Sequence, residues 1–457
     1  MNGQALIFGM GQSGQSVARY FTRIGRPFRA ADTRRDEGLA QRWRTAFPGV
    51  EIALGDCPAS LLDGVDELIV SPGLAMTEPL IQTAQARGIP VVGDMALALR
   101  DNQRPVVMIT GSNGKSTVTA LVGALLQSLG IRAGVGGNFG TPALDLLLDA
   151  PEILVLEVSS FQLETMQLAD YAPTAATVLN VSQDHLDRHG TMAVYAGLKA
   201  RVLRHAATAV INADDPWVAA MPSAAGARRV AFTLGAPAQP VDFGRIFTQG
   251  GWWLAQGAQP ILPVDALGIH GSHNQANALA ALALVQGVLP SVALDDPRLI
   301  ETLRRFSGLP HRAQTVGVVG GVQFIDDSKA TNVGAAVAAI RGIEAPLVLI
   351  AGGQGKGQDF TPLAEALRER AVAAVLLGQD QAAVAAALTR VLGEGFTQIR
   401  VQTLSAAVAA AAQWAPAGGV VLLAPACASL DMFANYQDRG RQFAQAVAAL
   451  TAREATA

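Results

Sequence analysis

The chain has 457 residues, 50% of them apolar and 16% charged, with a net charge of −3. That composition supplies packed cores and excludes a disordered chain, and the weak negative charge gives no electrostatic basis for binding nucleic acid. Two cysteines, Cys57 and Cys427, are too few for a disulfide framework or a zinc site.

No basic-then-apolar leader is visible and no apolar run reaches 18 residues, so a cytoplasmic protein with no membrane partner is expected. At roughly 150 residues per domain the length suggests three domains. Short apolar runs alternate with longer Ala-rich stretches almost throughout, such as 5–8 then 13–24, and 347–350 then 362–370. This is the pattern of α/β units whose mostly parallel sheets are covered on both faces. Motif placement puts the units at 1–95, 96–306 and 307–457.

In the first unit, Gly9-Met10-Gly11-Gln12-Ser13-Gly14 matches G-x-G-x-x-G between a strand and a helix, and Asp32 follows the next strand, 28–31. The pattern suits a dinucleotide site with the acidic residue on a ribose hydroxyl, the diphosphate of another nucleotide, or glycines used only for close packing. Asp32-Thr33-Arg34 and Ser71-Pro72-Gly73 stand at two further strand ends, where ligands gather in such sheets.

In the second unit the apolar run 105–108 predicts a strand and 118–129 a helix. Between them lies Ile109-Thr110-Gly111-Ser112-Asn113-Gly114-Lys115-Ser116-Thr117. A glycine-rich turn into a helix start presents backbone N–H groups and positive potential to phosphate; Lys115 reaches outer phosphates, and Ser116 or Thr117 suits Mg²⁺. Ile109 replaces the first glycine of the full P-loop pattern. ATP or GTP binding follows. Glu157, after the strand 153–156, suits a carboxylate facing that Mg²⁺. His185, in Asp184-His185-Leu186-Asp187, and Lys199, on a helix expected at 195–205, read by themselves as a loop histidine and a solvated lysine. The runs 241–247 and 252–254 suggest a small β insertion around Gly250-Gly251. In the third unit, Gly352-Gly353-Gln354-Gly355-Lys356-Gly357 is a candidate mobile loop, 306–309 a candidate hinge, and 430–450 a long closing helix.

Taken together, these runs resemble the Mur ligase family of bacterial cell-wall synthesis. The resemblance is carried by residues 110–117, Gly136-Gly137-Asn138, Glu157-Val158-Ser159-Ser160-Phe161-Gln162-Leu163-Glu164 and Asp184-His185-Leu186-Asp187-Arg188. It continues through His273-Asn274 with Asn277-Ala278, Gly308-Leu309-Pro310-His311-Arg312, Asp327-Ser328-Lys329-Ala330-Thr331-Asn332 and Pro425-Ala426-Cys427-Ala428-Ser429-Leu430-Asp431. These motifs cover nearly the whole chain in order.

The resemblance implies a three-domain, ATP-dependent acid–amino-acid ligase: a Rossmann-like first domain, a P-loop ATPase-like centre and a Rossmann-like mobile third domain. It also implies an acyl-phosphate intermediate. The motif variants point to UDP-N-acetylmuramoyl-L-alanine and D-glutamate as substrates, and a monomer is expected. By position, Gln12, Ser13, Asp32, Thr33, Arg34, Ser71 and Asn138 are assigned to the UDP-linked substrate, with Ser159 nearby. Gly111, Ser112, Asn113, Gly114, Lys115, Ser116 and Thr117 hold the phosphates, Asn274 meets adenine, Arg312 the phosphates and Asp327 the ribose. Two Mg²⁺ ions are assigned to Ser116 and Glu157, and to His185 and a Lys199 carbamylated by CO₂; Lys115, His185 and Lys199 are the catalytic set. Lys329, Thr331, Lys356, Ser429 and Leu430 form the D-glutamate site. Tyr436 stands where an aromatic residue, usually Phe, is found in close relatives, and Ser112 where Thr is common. A folylpolyglutamate-synthase-like ligase, an NAD-dependent dehydrogenase with an added P-loop and a nucleotide-regulated binding protein are the competing readings. The first would lack a complete domain around Gly9–Gly14, the second would leave Lys115, Glu157 and Lys199 without a role, and the amide-forming constellation disfavours the third.

Overall fold

The computed structural model describes residues 3–100, 102–166 and 171–454, and its strands form three sheets. The first contains β1 (Gln4–Phe8), β2 (Phe28–Asp32), β3 (Ile52–Leu54), β4 (Val65–Val70) and β5 (Val91–Gly93), all parallel, in the order β3-β2-β1-β4-β5. The second contains β6 (Val106–Thr110), β7 (Ala133–Gly137), β8 (Ile153–Glu157), β9 (Ala175–Val178), β10 (Thr208–Asn212), β11 (Arg228–Phe232), β12 (Phe243–Thr248), β13 (Gly251–Gln256) and β14 (Gln259–Pro263). Its order is β14-β13-β12-β11-β10-β9-β6-β8-β7, antiparallel only at β12–β13–β14. The third contains β15 (Gln314–Val319), β16 (Val322–Asp326), β17 (Leu347–Gly352), β18 (Ala371–Leu377), β19 (Thr397–Arg400) and β20 (Val420–Leu423) in the order β15-β16-β20-β17-β18-β19, with only β15 antiparallel.

By packing, residues up to 181 with 193–267 and 276–306 form one compact unit, which holds the first two sheets. Residues 182–192, 268–275 and 307 onward form a second. The apolar runs become strands because both faces are covered. In β17, Leu347, Leu349 and Ala351 join one buried cluster while Val348 and Ile350 join another, as the two-residue strand repeat requires. Each such Leu, Val or Ile contributes roughly 1.5–3 kcal/mol by burial.

What positions function is the strand order. In each sheet, one strand lies between neighbours reached by crossovers in opposite directions, and ligand-binding loops in such folds follow the strands at that point. The first switch involves β1 with β2 and β4, the second β6 with β8 and β9, the third β20 with β16 and β17. The motifs at 9–14, 32–34, 71–73, 110–117 and 157–164, and the loops at 327–332, 353–358 and 424–431, each follow one of these strands, whereas Gly136-Gly137-Asn138 follows β7 and His273-Asn274 comes after β14.

Several elements differ from the sequence reading. The helix expected at 195–205 is Met192–Ala200; beyond it the chain tightens into turns, with Val202 N–H donating to Lys199 O and Leu203 N–H to Ala200 O. The closing helix is Tyr436–Glu454, later than expected, because Ser429 O accepts from Met432 and Phe433 N–H in a turn and the Asn435 side chain caps Asp438 N–H at 2.8 Å. The supposed β insertion consists of β12 and β13 and, with β14, extends the edge of the second sheet. Among the described residues, no helix is long and apolar enough to cross a membrane.

Candidate active site

The glycine loop after β1 is held from several sides. Gly14 has no room for a side chain, since a Cβ would stand 2.0 Å from Gly9 O. Met10 N–H donates to Asp32 Oδ2 at 2.7 Å, and Met10 O accepts from the indole N–H of buried Trp43 at 2.8 Å. Asp32 also takes three bonds from Arg34: its N–H at 3.0 Å, Nε at 2.8 Å and Nη2 at 2.7 Å. Burial raises the Asp32 carboxyl, but the bonds from the Arg34 side chain, Met10 N–H and Arg34 N–H outweigh it and hold the carboxyl below its usual range. Each oxygen therefore already accepts twice, which fills the acceptor capacity a dinucleotide ribose would need. The Ser71 hydroxyl donates to Gly9 O at 2.9 Å, Gln12 Nε2 to Gly140 O at 3.3 Å, and Thr33 is exposed. Ser13 hydrogen-bonds buried Asp94, whose carboxyl is pushed up by burial against bonds from Ser13, Met95 N–H and Gln162. Gln162 in turn completes a capping box with Ser159 at the start of the helix Ser160–Thr165.

The second switch carries the phosphate-type loop. Thr110 ends β6, Gly114 takes a left-handed φ of 84°, and the helix Lys115–Ser128 begins at once. The first N–H groups of that helix have no intrahelical acceptor and face the loop. Asn180, just past β9, braces the loop: its carbonyl accepts from Ser112 N–H at 2.9 Å, its Oδ1 from Asn113 N–H at 2.8 Å, and its Nδ2 donates to Asn113 O at 3.1 Å. Lys115 Nζ donates to Gly111 O at 2.7 Å and Ser112 O at 2.8 Å. Lys199, only 1% exposed, donates to the same Gly111 O at 2.8 Å, and its Nζ lies 4.4 Å from the Tyr195 ring centroid. The Tyr195 hydroxyl is 3.2 Å from Ser112 Oγ. Two lysine nitrogens thus share one carbonyl.

Ser116 and Thr117 are buried at the helix start. Glu157 closes β8, in register beside Ile109 of β6. It is 2% exposed; Oε1 accepts from Asn138 Nδ2 at 2.6 Å, while Oε2 is buried with no hydrogen-bond partner. A buried carboxylate oxygen left without a donor is a fit for a cation. Among the described residues no three His, Cys, Asp or Glu side chains form a metal cluster.

His185 belongs to the second compact unit, as do residues 268–275 with Asn274. Its backbone is left-handed (φ 54°), its N–H donates to Asp184 Oδ1 at 3.0 Å, and its Nε2 lies 3.5 Å from Asp184 Oδ2. Buried Asp184 also accepts from Asn332 Nδ2 at 3.1 Å and lies 3.6 Å from Lys356 Nζ. Asn274 Nδ2 donates to His270 O at 2.8 Å.

In the third sheet, the loop after β16 holds Asp327, Lys329 and Thr331. Burial pushes the Asp327 carboxyl up to about 7, tempered by Arg312 and a bond from Ala313 N–H. Lys329 Nζ stands 4.3 Å from the Tyr436 ring centroid. Gln354, after β17, and Ala428, after β20, exchange backbone hydrogen bonds at 3.0 and 2.9 Å, which brings the Lys356 loop alongside buried Ser429. Leu430 is exposed.

Sequence reasoning gave no role to Trp43, Asp94, Asn180 or Tyr195, nor to Asp184 and Asn332, which it quoted only as members of motifs. Asn180 was within reach, as a polar residue just beyond a strand at the switch, and so was Tyr195, one helical turn before Lys199. Trp43 lies 33 residues from the backbone it holds and left no local signal.

Three family models match the chain in order: Mur ligase MurD-like, N-terminal domain over 3–93, Mur ligase middle domain over 109–285, and Mur ligase, glutamate ligase domain over 311–427. A Methylobacillus flagellatus protein named UDP-N-acetylmuramoylalanine--D-glutamate ligase is 45% identical over 456 residues, covering 99% of this chain and 98% of its own. A Pseudomonas aeruginosa protein of the same name is 46% identical, covering 97% of each chain. Among solved structures, a Thermotoga maritima UDP-N-acetylmuramate-alanine ligase aligns with a TM-score of 0.62 at 18% identity, over 98% of this chain and 99% of its own. A Mycobacterium tuberculosis folylpolyglutamate synthase complexed with ADP aligns at 0.57 and 18%, over 77% of this chain and 92% of its own. At that identity the likeness is one of fold.

Proposed function

The chain belongs to the Mur ligase family, and from that premise we propose that it uses ATP to join D-glutamate to UDP-N-acetylmuramoyl-L-alanine in cytoplasmic peptidoglycan precursor synthesis, and so serves cell-wall growth, cell shape and cell division. The observation that carries the reading is identity of 45% along almost the full length to proteins of that name. The paired lysines on Gly111 O and the orphan oxygen of Glu157 agree with it. The same full-length identity argues against the dehydrogenase alternative.

In this proposal residues 1–95 grip the UDP end of the substrate through the Gly9–Gly14 loop, Gln12, Ser13, Asp32, Thr33, Arg34 and Ser71. Asn138 and Ser159 lie further along it. Residues 96–306 bind ATP, and 307–457 bring D-glutamate on a mobile domain; the protein acts as a monomer. The lactoyl-alanine carboxylate is a poor electrophile, so it first attacks the γ-phosphate of ATP, giving an acyl phosphate and ADP. Lys115 leaves its loop carbonyls to stabilise charge on the transferring group. Asn274, Arg312 and Asp327 orient the nucleotide. Ser116 and Glu157, with His185 and Lys199, would hold two Mg²⁺ ions, which when bound neutralise phosphate oxygens. In its neutral form the Lys199 amine would add CO₂ with loss of a proton to become the carbamate ligand, whose negative charge the bound cations would offset. Lys329, Thr331, Lys356, Ser429 and the Leu430 backbone hold the two carboxylates of D-glutamate. Its neutral amine, its proton taken up with the help of His185, attacks the acyl phosphate, and phosphate leaves. Closure of the third domain keeps water from the acyl phosphate.

The test measures phosphate release with UDP-N-acetylmuramoyl-L-alanine and ATP, with and without D-glutamate, L-alanine or a diamino acid. D-glutamate alone should support release. Release indifferent to D-glutamate, or supported by another of these amino acids in its place, overturns the reading.

A further inference from the structure

Arg439 lies in the first turns of the helix Tyr436–Glu454 and is only 2% exposed. Its Nε donates to Ser328 Oγ at 2.9 Å, its Nη2 to Ser328 O at 2.8 Å and its Nη1 to Cys427 O at 3.2 Å. The Ser328 hydroxyl donates to Tyr436 O at 2.8 Å, and Ser328 N–H donates to Asp326 Oδ1 at 2.9 Å. One buried guanidinium therefore joins the loop after β16, the loop after β20 and the start of the last helix. Those are the segments that carry Asp327, Lys329 and Thr331, then Ser429 and Leu430, then Tyr436.

The planar fork suits this task, because its donors leave in fixed directions and set the separation of the two loops. The charge is costly to bury, and burial pulls the guanidinium down to about 10, against nearby Cys427, Asp431 and Asp326. It nevertheless stays protonated at neutral pH. A second feature shows how tightly the helix is seated. Gly440 occupies a helix-interior position where alanine is ordinarily preferred, yet a Cβ there would stand 2.2 Å from His311 Nδ1 and 2.7 Å from Asp326 Oδ2. His311 Nδ1 and Asp326 Oδ2 are themselves 2.6 Å apart. The helix start, the β16 end and the β20 loop are thus locked into one arrangement by polar contacts.

We propose that Arg439 is a positioning residue of the amino-acid cradle, fixing the separation of the Lys329 and Ser429 loops and adding a buried positive charge that favours a dicarboxylate ligand. This rests on the D-glutamate reading above. The residue touches no substrate and acts through Ser328, Cys427 and Tyr436.

The test compares Arg439→Lys, Arg439→Ala and the milder Ser328→Ala with the wild type in D-glutamate-dependent phosphate release, alongside thermal unfolding. The Michaelis constant for D-glutamate should rise about tenfold in Arg439→Lys and Ser328→Ala, and that for the UDP-linked substrate should change by less than about twofold. Millimolar guanidinium should restore part of the D-glutamate affinity of Arg439→Ala but not of Ser328→Ala. Folded variants with an unchanged constant for D-glutamate, or equal changes for every substrate that track a lowered unfolding temperature, overturn the proposal. Wild-type release that ignores D-glutamate overturns the functional reading and this proposal together, so the two failures are told apart.

Discussion

The loop between β6 and the helix Lys115–Ser128 and the cluster of loops after β16, β17 and β20, the two proposed binding regions, are built in different ways. In the first, the chemistry is continuous in sequence: Gly111 to Thr117 supplies the turn, the lysine, the hydroxyls and the helix N-terminus within seven residues. In the second, Asp327, Lys356, Ser429 and Tyr436 come from segments up to about 110 residues apart, and meet through backbone bonds such as Gln354–Ala428 and the Arg439 fork. Phosphate has many equivalent oxygens and is satisfied by a helix start and one cation. A chiral dicarboxylate needs groups at fixed separations, which a single turn cannot provide. General recognition is built locally, and discrimination is built by the fold.

The largest expected effect tests the local half. Lys115→Ala should cost about 10³-fold or more in turnover with unfolding temperature nearly unchanged, since the lysine stabilises charge only as phosphate transfers. Lys199→Ala should be nearly inactive as well, but added short carboxylic acids should recover part of its activity by replacing the carbamate, and they should do nothing for Lys115→Ala. Recovery of both, or of neither, would show that the two lysines on Gly111 O do not divide the work as proposed.

The next effect belongs to the assembled half and depends on pH. Asp327 titrates at about 7 rather than at its ordinary 3.8, because burial outweighs Arg312 and the Ala313 N–H bond. The folded chain keeps a proton there that the unfolded chain loses above about pH 4, so this group's share of stability falls as pH rises from about 4 to about 7 and is flat above. In the proposed ribose-binding role of Asp327, an ionised carboxyl would accept from ribose hydroxyls better than a neutral one. The Michaelis constant for ATP should therefore fall several-fold between pH 6 and 8, and Asp327→Asn should not show the fall. Taking the ratio of wild type to variant removes the ionisation of ATP itself. A flat ratio would separate Asp327 from the ribose.

The same contrast sets what could be read from residues alone. The alternation of apolar runs and helices gave three mostly parallel sheets because both-face burial imposes that pattern directly, as in β17. The loop Gly111–Thr117 was legible because spacing, strand and helix all lie within one window. The proposed amino-acid cradle comes from resemblance alone: nothing in the sequence around Lys356 or Ser429 points to the other, since their meeting depends on β17 and β20 being neighbours. Lys199 shows the limit most plainly. On composition it is a solvated helical lysine, yet helix packing buries it against Gly111 O and Tyr195. Trp43, Arg439 and Asp94 were invisible for the same reason, being residues whose partners are fixed by tertiary structure.

The smallest effect bears on how exacting the assembled half is. Lys329 Nζ lies 4.3 Å from the Tyr436 ring centroid, a distance at which the ring face attracts the ammonium by about 0.5–2 kcal/mol. That attraction belongs to the ring and survives loss of the hydroxyl. Tyr436→Phe should therefore leave the Michaelis constant for D-glutamate within about twofold of wild type. Tyr436→Leu should raise it by about two- to thirtyfold, because it keeps apolar bulk and removes the π face that holds Lys329. If both variants bind D-glutamate as the wild type does, the ring is packing alone and Lys329 is oriented by other contacts. If Tyr436→Phe is the weaker of the two, the hydroxyl is itself a ligand-binding group, and the cradle discriminates through one more polar contact than the geometry here requires.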